Sequence, residues 1–112
     1  MSKLDGLLEK CEAQLKATGV NASNELLRAV TKGLGPSVYN RDGLLVAARD
    51  KSELDRIRKN FIEKKLGVKD EAEAEAAIDY AIEKIGPSNR NKMRPVFYTL
   101  IVTKLGKQSH YS

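Results

Sequence analysis

Apolar residues recur along this chain at the three-to-four-residue spacing that lines one face of a helix. Leu4, Leu7, Leu8, Cys11 and Leu15 follow it while Glu9, Lys10, Glu12 and Lys16 point elsewhere, which predicts a first helix from about Lys3 to Thr18 with Ser2 as its cap. Gly19 supplies a left-handed stop, and Val20 is the apolar residue that packs back after it. Leu26, Leu27, Val30 and Leu34 predict a second helix, capped by Asn21 or Ser23 and ended by Gly33 and Gly35-Pro36. From Ser37 to Arg49 the period is lost: Leu44, Leu45 and Val46 are apolar without rhythm, and Asn40-Arg41-Asp42-Gly43 reads as a turn. A short helix or an irregular buried crossing is expected there.

Asp50 through Glu53 has the form of a capping box and announces a third helix carrying Leu54, Ile57, Phe61, Ile62 and Leu66, stopped by Gly67-Val68. Asp70 with Glu73 repeats the box and opens a fourth, whose stripe of Ala74, Ala77, Ile78, Ala81, Ile82 and Ile85 is small enough for a neighbouring helix to approach closely. Gly86-Pro87 ends it. The run Val96 to Val102 has strand-like composition but no second strand to pair with, whereas Met93, Phe97, Leu100 and Ile101 fit helical spacing. Pro95 is tolerated in a first helical turn after a cap near Asn91. Being apolar on most sides, this helix is expected at the centre. The order helix, Gly-Val turn, polar cap, helix, Gly-Pro-Ser occurs once through Ser37 and again through Ser88. The expected fold is all-α: a compact bundle of about five helices, arranged as two pseudo-repeated hairpins plus a central C-terminal helix.

At 112 residues the chain fits one domain, 1–112, with a loose tail from about Lys107. One cysteine and one histidine exclude an intramolecular disulfide and a Cys/His zinc site, so no metal and no cofactor are expected. With no signal-like start and no apolar run near the roughly 20 residues of a membrane span, a cytoplasmic protein is expected. Enzymatic chemistry is disfavoured: His110 lies near the chain end, and Cys11 sits on the apolar face of the first helix, where a thiol is inert. Asn40-x-Asp42-Gly43 is a fragment of a calcium loop without its later carboxylates.

The net charge of +5 is unevenly spread. Residues 70–86 hold six acids against Lys84, while from Pro87 onward there are five bases and no acid. Ser88, Asn89, Arg90, Asn91, Lys92 and Arg94 gather hydroxyl, amide and basic groups where the last helix begins, a pattern suited to holding a phosphate or an acidic side chain. Two plainer roles compete: capping by Ser88, Asn89 and Asn91, and pairing of the bases with the acidic helix before them. A helix-turn-helix reading of Lys65-Leu66-Gly67-Val68 fails on charge, because the helix that follows would be repelled by a nucleic-acid backbone. The expected function is therefore a non-enzymatic helical module that binds another protein or a second copy of itself. Nucleic-acid or phosphate-ligand binding through residues 88–94 is the alternative, and an enzyme without a recognisable motif ranks last.

The blocks Ala29-Val30-Thr31-Lys32-Gly33-Leu34-Gly35-Pro36-Ser37, Lys59-Asn60-Phe61 with Lys64-Lys65-Leu66-Gly67, and Ser88-Asn89-Arg90-Asn91-Lys92 with Val96-Phe97-Tyr98 resemble, in order and spacing, the bacterial domain-of-unknown-function family numbered 2853. The resemblance implies a compact all-helical domain. It implies no activity, ligand or catalytic residue.

Overall fold

The computed structural model describes residues 3–111. α1 (Lys3–Ala17) buries Leu7, Leu8, Cys11 and Leu15, the stripe read from the sequence. Its expected cap, Ser2, lies outside the described residues. Gly19, at φ +74°, turns the chain, a conformation that costs any residue with a Cβ. Ser23 rather than Asn21 caps α2 (Asn24–Leu34), its Oγ accepting from the Leu26 N–H at 3.1 Å. The aperiodic stretch that follows takes both of its expected forms. A 3-10 turn (Pro36–Tyr39) leads into α3 (Arg41–Leu44), and an irregular crossing then buries Val46.

α4 (Lys51–Arg56) starts at Asp50, whose carboxylate accepts from the Ser52 N–H at 2.9 Å. The other half of the expected capping box is not made, because Glu53 pairs with Arg94 and Arg56 instead. The helix then widens into π turns over Ile57–Glu63. The sequence explains why: Ile57, Phe61, Ile62 and Leu66 recur at steps of four and five, and all four are buried. In an unbroken α-helix Leu66, nine residues after Ile57, would face about half a turn away from it. The i→i+5 ladder brings both to the core.

Gly67, again at φ +74°, ends this helix and lets Val68 pack back. α5 (Glu71–Ile85) opens under Asp70, which accepts from the N–H groups of Ala72 and Glu73; as at Asp50, the returning Glu73 half of the expected box is not made among the described residues. Its buried stripe of Ala74, Ala77, Ile78 and Ala81 lies closest to α6 (Arg94–Leu105), which also touches α1, α2 and α3. Pro95 through Val102 are all buried, so α6 is the central helix that its composition predicts. Each fully buried Val, Leu, Ile or Phe there contributes about 1.5–3 kcal/mol. Thr99 is hidden at no such loss, because its hydroxyl donates to the Pro95 carbonyl at 2.7 Å. The two helical hairpins end alike, with Gly35 and Gly86 both at positive φ. Gln108–Tyr111, in the stretch expected as a tail, form a 3-10 turn against α2, with the Lys65 ammonium 5.4 Å from the Tyr111 ring centre. No helix among the described residues is long and apolar enough to cross a membrane.

Candidate anion-binding cleft

The expected cap near Asn91 is not where α6 begins. The helix starts at Arg94, with Met93 in the cap position and no side-chain cap bond. Residues 92 and 93 are taken by another partner: Leu45 and Met93 form an isolated antiparallel bridge, in which the Val46 N–H donates to the Lys92 carbonyl at 2.9 Å. Gln14 of α1 secures the same segment from the other side. Its Nε2 donates to the Asn91 carbonyl at 2.6 Å, and its Oε1 accepts from the Met93 N–H at 2.9 Å. None of these contacts is local in sequence, which is why helical periodicity placed the start of α6 too early.

Arg94, expected among the groups that hold an anion where the last helix begins, points inward. Its Nε donates to the Gly43 carbonyl at 2.8 Å, Nη2 to the Leu45 carbonyl at 3.3 Å and to the Glu53 carboxylate, and Nη1 to the Tyr98 hydroxyl at 3.1 Å. Its fork thus ties α3, the crossing after it, α4 and α6 together. Burial alone lowers the Arg94 pKa, but the hydrogen bonds to Glu53 and Tyr98 more than offset that and hold it above its ordinary value. Burial likewise raises the Tyr98 hydroxyl, against the opposing pull of Arg94. Tyr98 stacks on Phe61 of the π segment, ring centres 4.1 Å apart. Arg94 is a structural cross-link, with four of its five N–H donors committed within the fold.

Lys92 is also turned in, at 3% exposure. Its ammonium donates to the carbonyls of Pro87 (3.3 Å) and Asn89, and among the described residues no carboxylate lies within ion-pair distance of it. Burial lowers its pKa, and the nearby Arg49 charge lowers it further. Of the expected cluster, Arg90 and Asn91 are exposed, as is Ser88. Asn89 closes a turn, its Oδ1 accepting from the Asn91 N–H at 2.8 Å, and does not cap α6. Among the described residues the bases do not pair with the acids of α5 either: Arg94 takes Glu53, and the α5 acid Glu71 meets Arg58.

What the bridge does assemble is a cleft of about 450 Å³ between residues 46–50 and the 87–92 turn. Arg49 and Asp50 stand on one side and Arg90 on the other, with Lys92 between and Val46, Ala47, Ala48 and Pro87 as apolar wall. The size is typical of small-ligand sites, about 300–1,000 Å³. The sequence singled out Arg90 and Lys92 but missed Arg49. The only signal for Arg49 is its position just before the Asp50 cap, in a stretch without period.

A small all-helical domain with a basic, partly apolar cleft is the class of protein these features define. The chain belongs to the family described as protein of unknown function DUF2853, whose model matches residues 10–109, in agreement with the three blocks that carry the resemblance. No curated protein matches the chain.

Proposed function

We propose that the protein is a non-enzymatic binding module whose ligand is anionic and enters the cleft between residues 46–50 and 87–92. The observation that carries this reading is Lys92: a buried lysine whose ammonium has carbonyl partners only, near a second cation, in the lining of an open cavity. A buried charge without a counter-charge is costly, and an anion entering the cleft supplies the missing partner. The scaffold is preorganised, since Gln14, Arg94 and the Leu45–Met93 bridge fix both walls from outside the cleft. A cytoplasmic setting goes with this reading, Cys11 being a buried free thiol.

The test is thermal unfolding in phosphate against chloride at equal ionic strength. Phosphate at millimolar concentration is expected to raise Tm, and Arg49→Ala with Arg90→Ala to abolish the rise while leaving Tm in chloride unchanged. Equal Tm in both salts refutes the reading. Arg94→Ala is unsuitable as a binding probe because it breaks the fold's own cross-link. Anisotropy of labelled duplex DNA, single-stranded DNA and RNA across a salt series separates nucleic acid from smaller anions, since backbone binding falls linearly in log K with log salt.

One observation favours protein contact as a second reading. Glu73, Glu75, Asp79 and Glu83 of α5 are exposed and form no ion pair among the described residues, so that face suits a basic partner or the basic side of a second copy. Sedimentation at low and high salt tests it: salt-sensitive association is expected, and a monomer throughout removes the self-association form.

A further inference from the structure

We propose that the ligand of this cleft is a phosphate monoester of a small apolar group, bound phosphate-first. This deepens the anion reading and rests on it.

Charge sets the headgroup. Arg49, Arg90 and Lys92 bring three positive charges to the cavity, and Asp50 brings one negative, with one of its oxygens already committed to the Ser52 N–H. The balance of two positive charges matches a phosphate monoester, which carries about −1.5 to −2 at neutral pH, better than a carboxylate or a diester with a single charge. Arg49 and Arg90 are exposed and free to close over a ligand, whereas Lys92 is held in place by its two carbonyl bonds.

Depth sets the connectivity. Lys92 lines the cleft and the residue is 3% exposed, so a phosphate meets its ammonium from the cleft side. A terminal phosphate has one attachment and can enter end-on. A diester phosphate within a nucleic-acid strand is flanked by chain on both sides and stays at the mouth.

The walls set the remainder. Apart from Asn89, whose Oδ1 is taken by the Asn91 N–H, the remaining wall of Val46, Ala47, Ala48 and Pro87 is carbon surface, so the group trailing the phosphate is matched by a short alkyl or aryl body. Free inorganic phosphate satisfies the cations but leaves this wall uncovered.

Calorimetric titration of the full chain with inorganic phosphate, phenyl phosphate, dibutyl phosphate and butyrate tests the proposal. Phenyl phosphate is expected to bind roughly tenfold more tightly than inorganic phosphate, a gain equivalent to covering about two methylene groups of apolar surface. Dibutyl phosphate and butyrate are expected to bind at least roughly tenfold more weakly than phenyl phosphate. Lys92→Met is expected to abolish phenyl phosphate binding. Should that variant not fold, Arg90→Ala and Arg49→Ala, at exposed positions, are each expected to weaken it by roughly tenfold with circular dichroism unchanged. Equal affinity for inorganic and phenyl phosphate overturns the monoester proposal and leaves the anion cleft standing. A diester that binds as tightly as the monoester also overturns it. Binding of none of the four overturns both.

Discussion

Replacing Arg94 by Ala removes four hydrogen bonds at once and is the most informative perturbation of this fold. The guanidinium side chain is 17% exposed and its carboxylate partner Glu53 is 12% exposed. Truncation leaves the Gly43 and Leu45 carbonyls and the Tyr98 hydroxyl short of a donor, while Glu53 keeps only Arg56, at 3.3 Å and largely in solvent. Breaking a buried pair from one side costs about 3–5 kcal/mol, and the residual exposure of both groups places this case near the lower end, about 3 kcal/mol. Against a total of about 5–15 kcal/mol for a domain, that is a large share. At about 4 °C per kcal/mol for this chain length, Tm should fall by about 12 °C. Urea unfolding followed by far-ultraviolet circular dichroism gives the free energy, and scanning calorimetry gives Tm. The cycle with Glu53→Ala and the double variant should show a coupling of about 1 kcal/mol or more, only weakly reduced by molar salt because the pair is shielded from solvent. A loss under about 1 kcal/mol, or no coupling, would refute the cross-link assignment.

Three further outcomes are expected. Gln14→Ala should cost about 0.5–1.5 kcal/mol, measured by urea unfolding, because it removes the side-chain bonds to the Met93 N–H and the solvent-exposed Asn91 carbonyl. Gly19→Ala and Gly67→Ala should each cost about 1–2 kcal/mol although nothing lies within 4 Å of either added Cβ, since the penalty is in the backbone at φ +74°; an unchanged Tm would show that the turn relaxes freely. Burial, then the neighbouring charge of Glu12, pushes the Cys11 thiol up to about 12 from 9.0. Above pH 9 the unfolded chain therefore loses this proton while the native one keeps it, so stability should fall as pH rises from 9 toward 12. The fall should shrink in Cys11→Ala, and native Cys11 should resist a thiol reagent at pH 8 that labels it in urea.

The helices were legible because each carries its own stripe and stop signal. The Gly-Val turns, the Asp70 cap and the apolar wealth of α6 are all local, and each appears in the structure as the sequence implies. What the sequence hides are interactions whose partners lie far along the chain. Glu53 has the spacing of a capping box but is claimed by Arg94, 41 residues away. Asn91 looks like a cap until Gln14, 77 residues earlier, takes its carbonyl. The widening of the helix after Arg56 was visible as steps of four and five between apolar residues, a rhythm easily absorbed into ordinary helical spacing. The binding cluster was half legible for the same reason. Its basic residues are plain in composition, but which of them face a ligand depends on carbonyls supplied by residues 43–45 and 87–89. Arg94 and Lys92 are drawn inward by those carbonyls, and Arg49 is brought near only by the Leu45–Met93 bridge.

The placement of α6 at the centre also constrains biosynthesis. Every other long helix precedes it in the chain, so at about 5–20 residues per second the ribosome spends roughly 5–20 s making segments whose apolar stripes lack their central partner. Until Val96 to Val102 emerge, α2 and α5 each lack the helix they pack against most, so nascent chains in that interval expose apolar surface. A stalled or truncated product lacking α6 should be cleared by proteolysis rather than persist as a smaller folded domain.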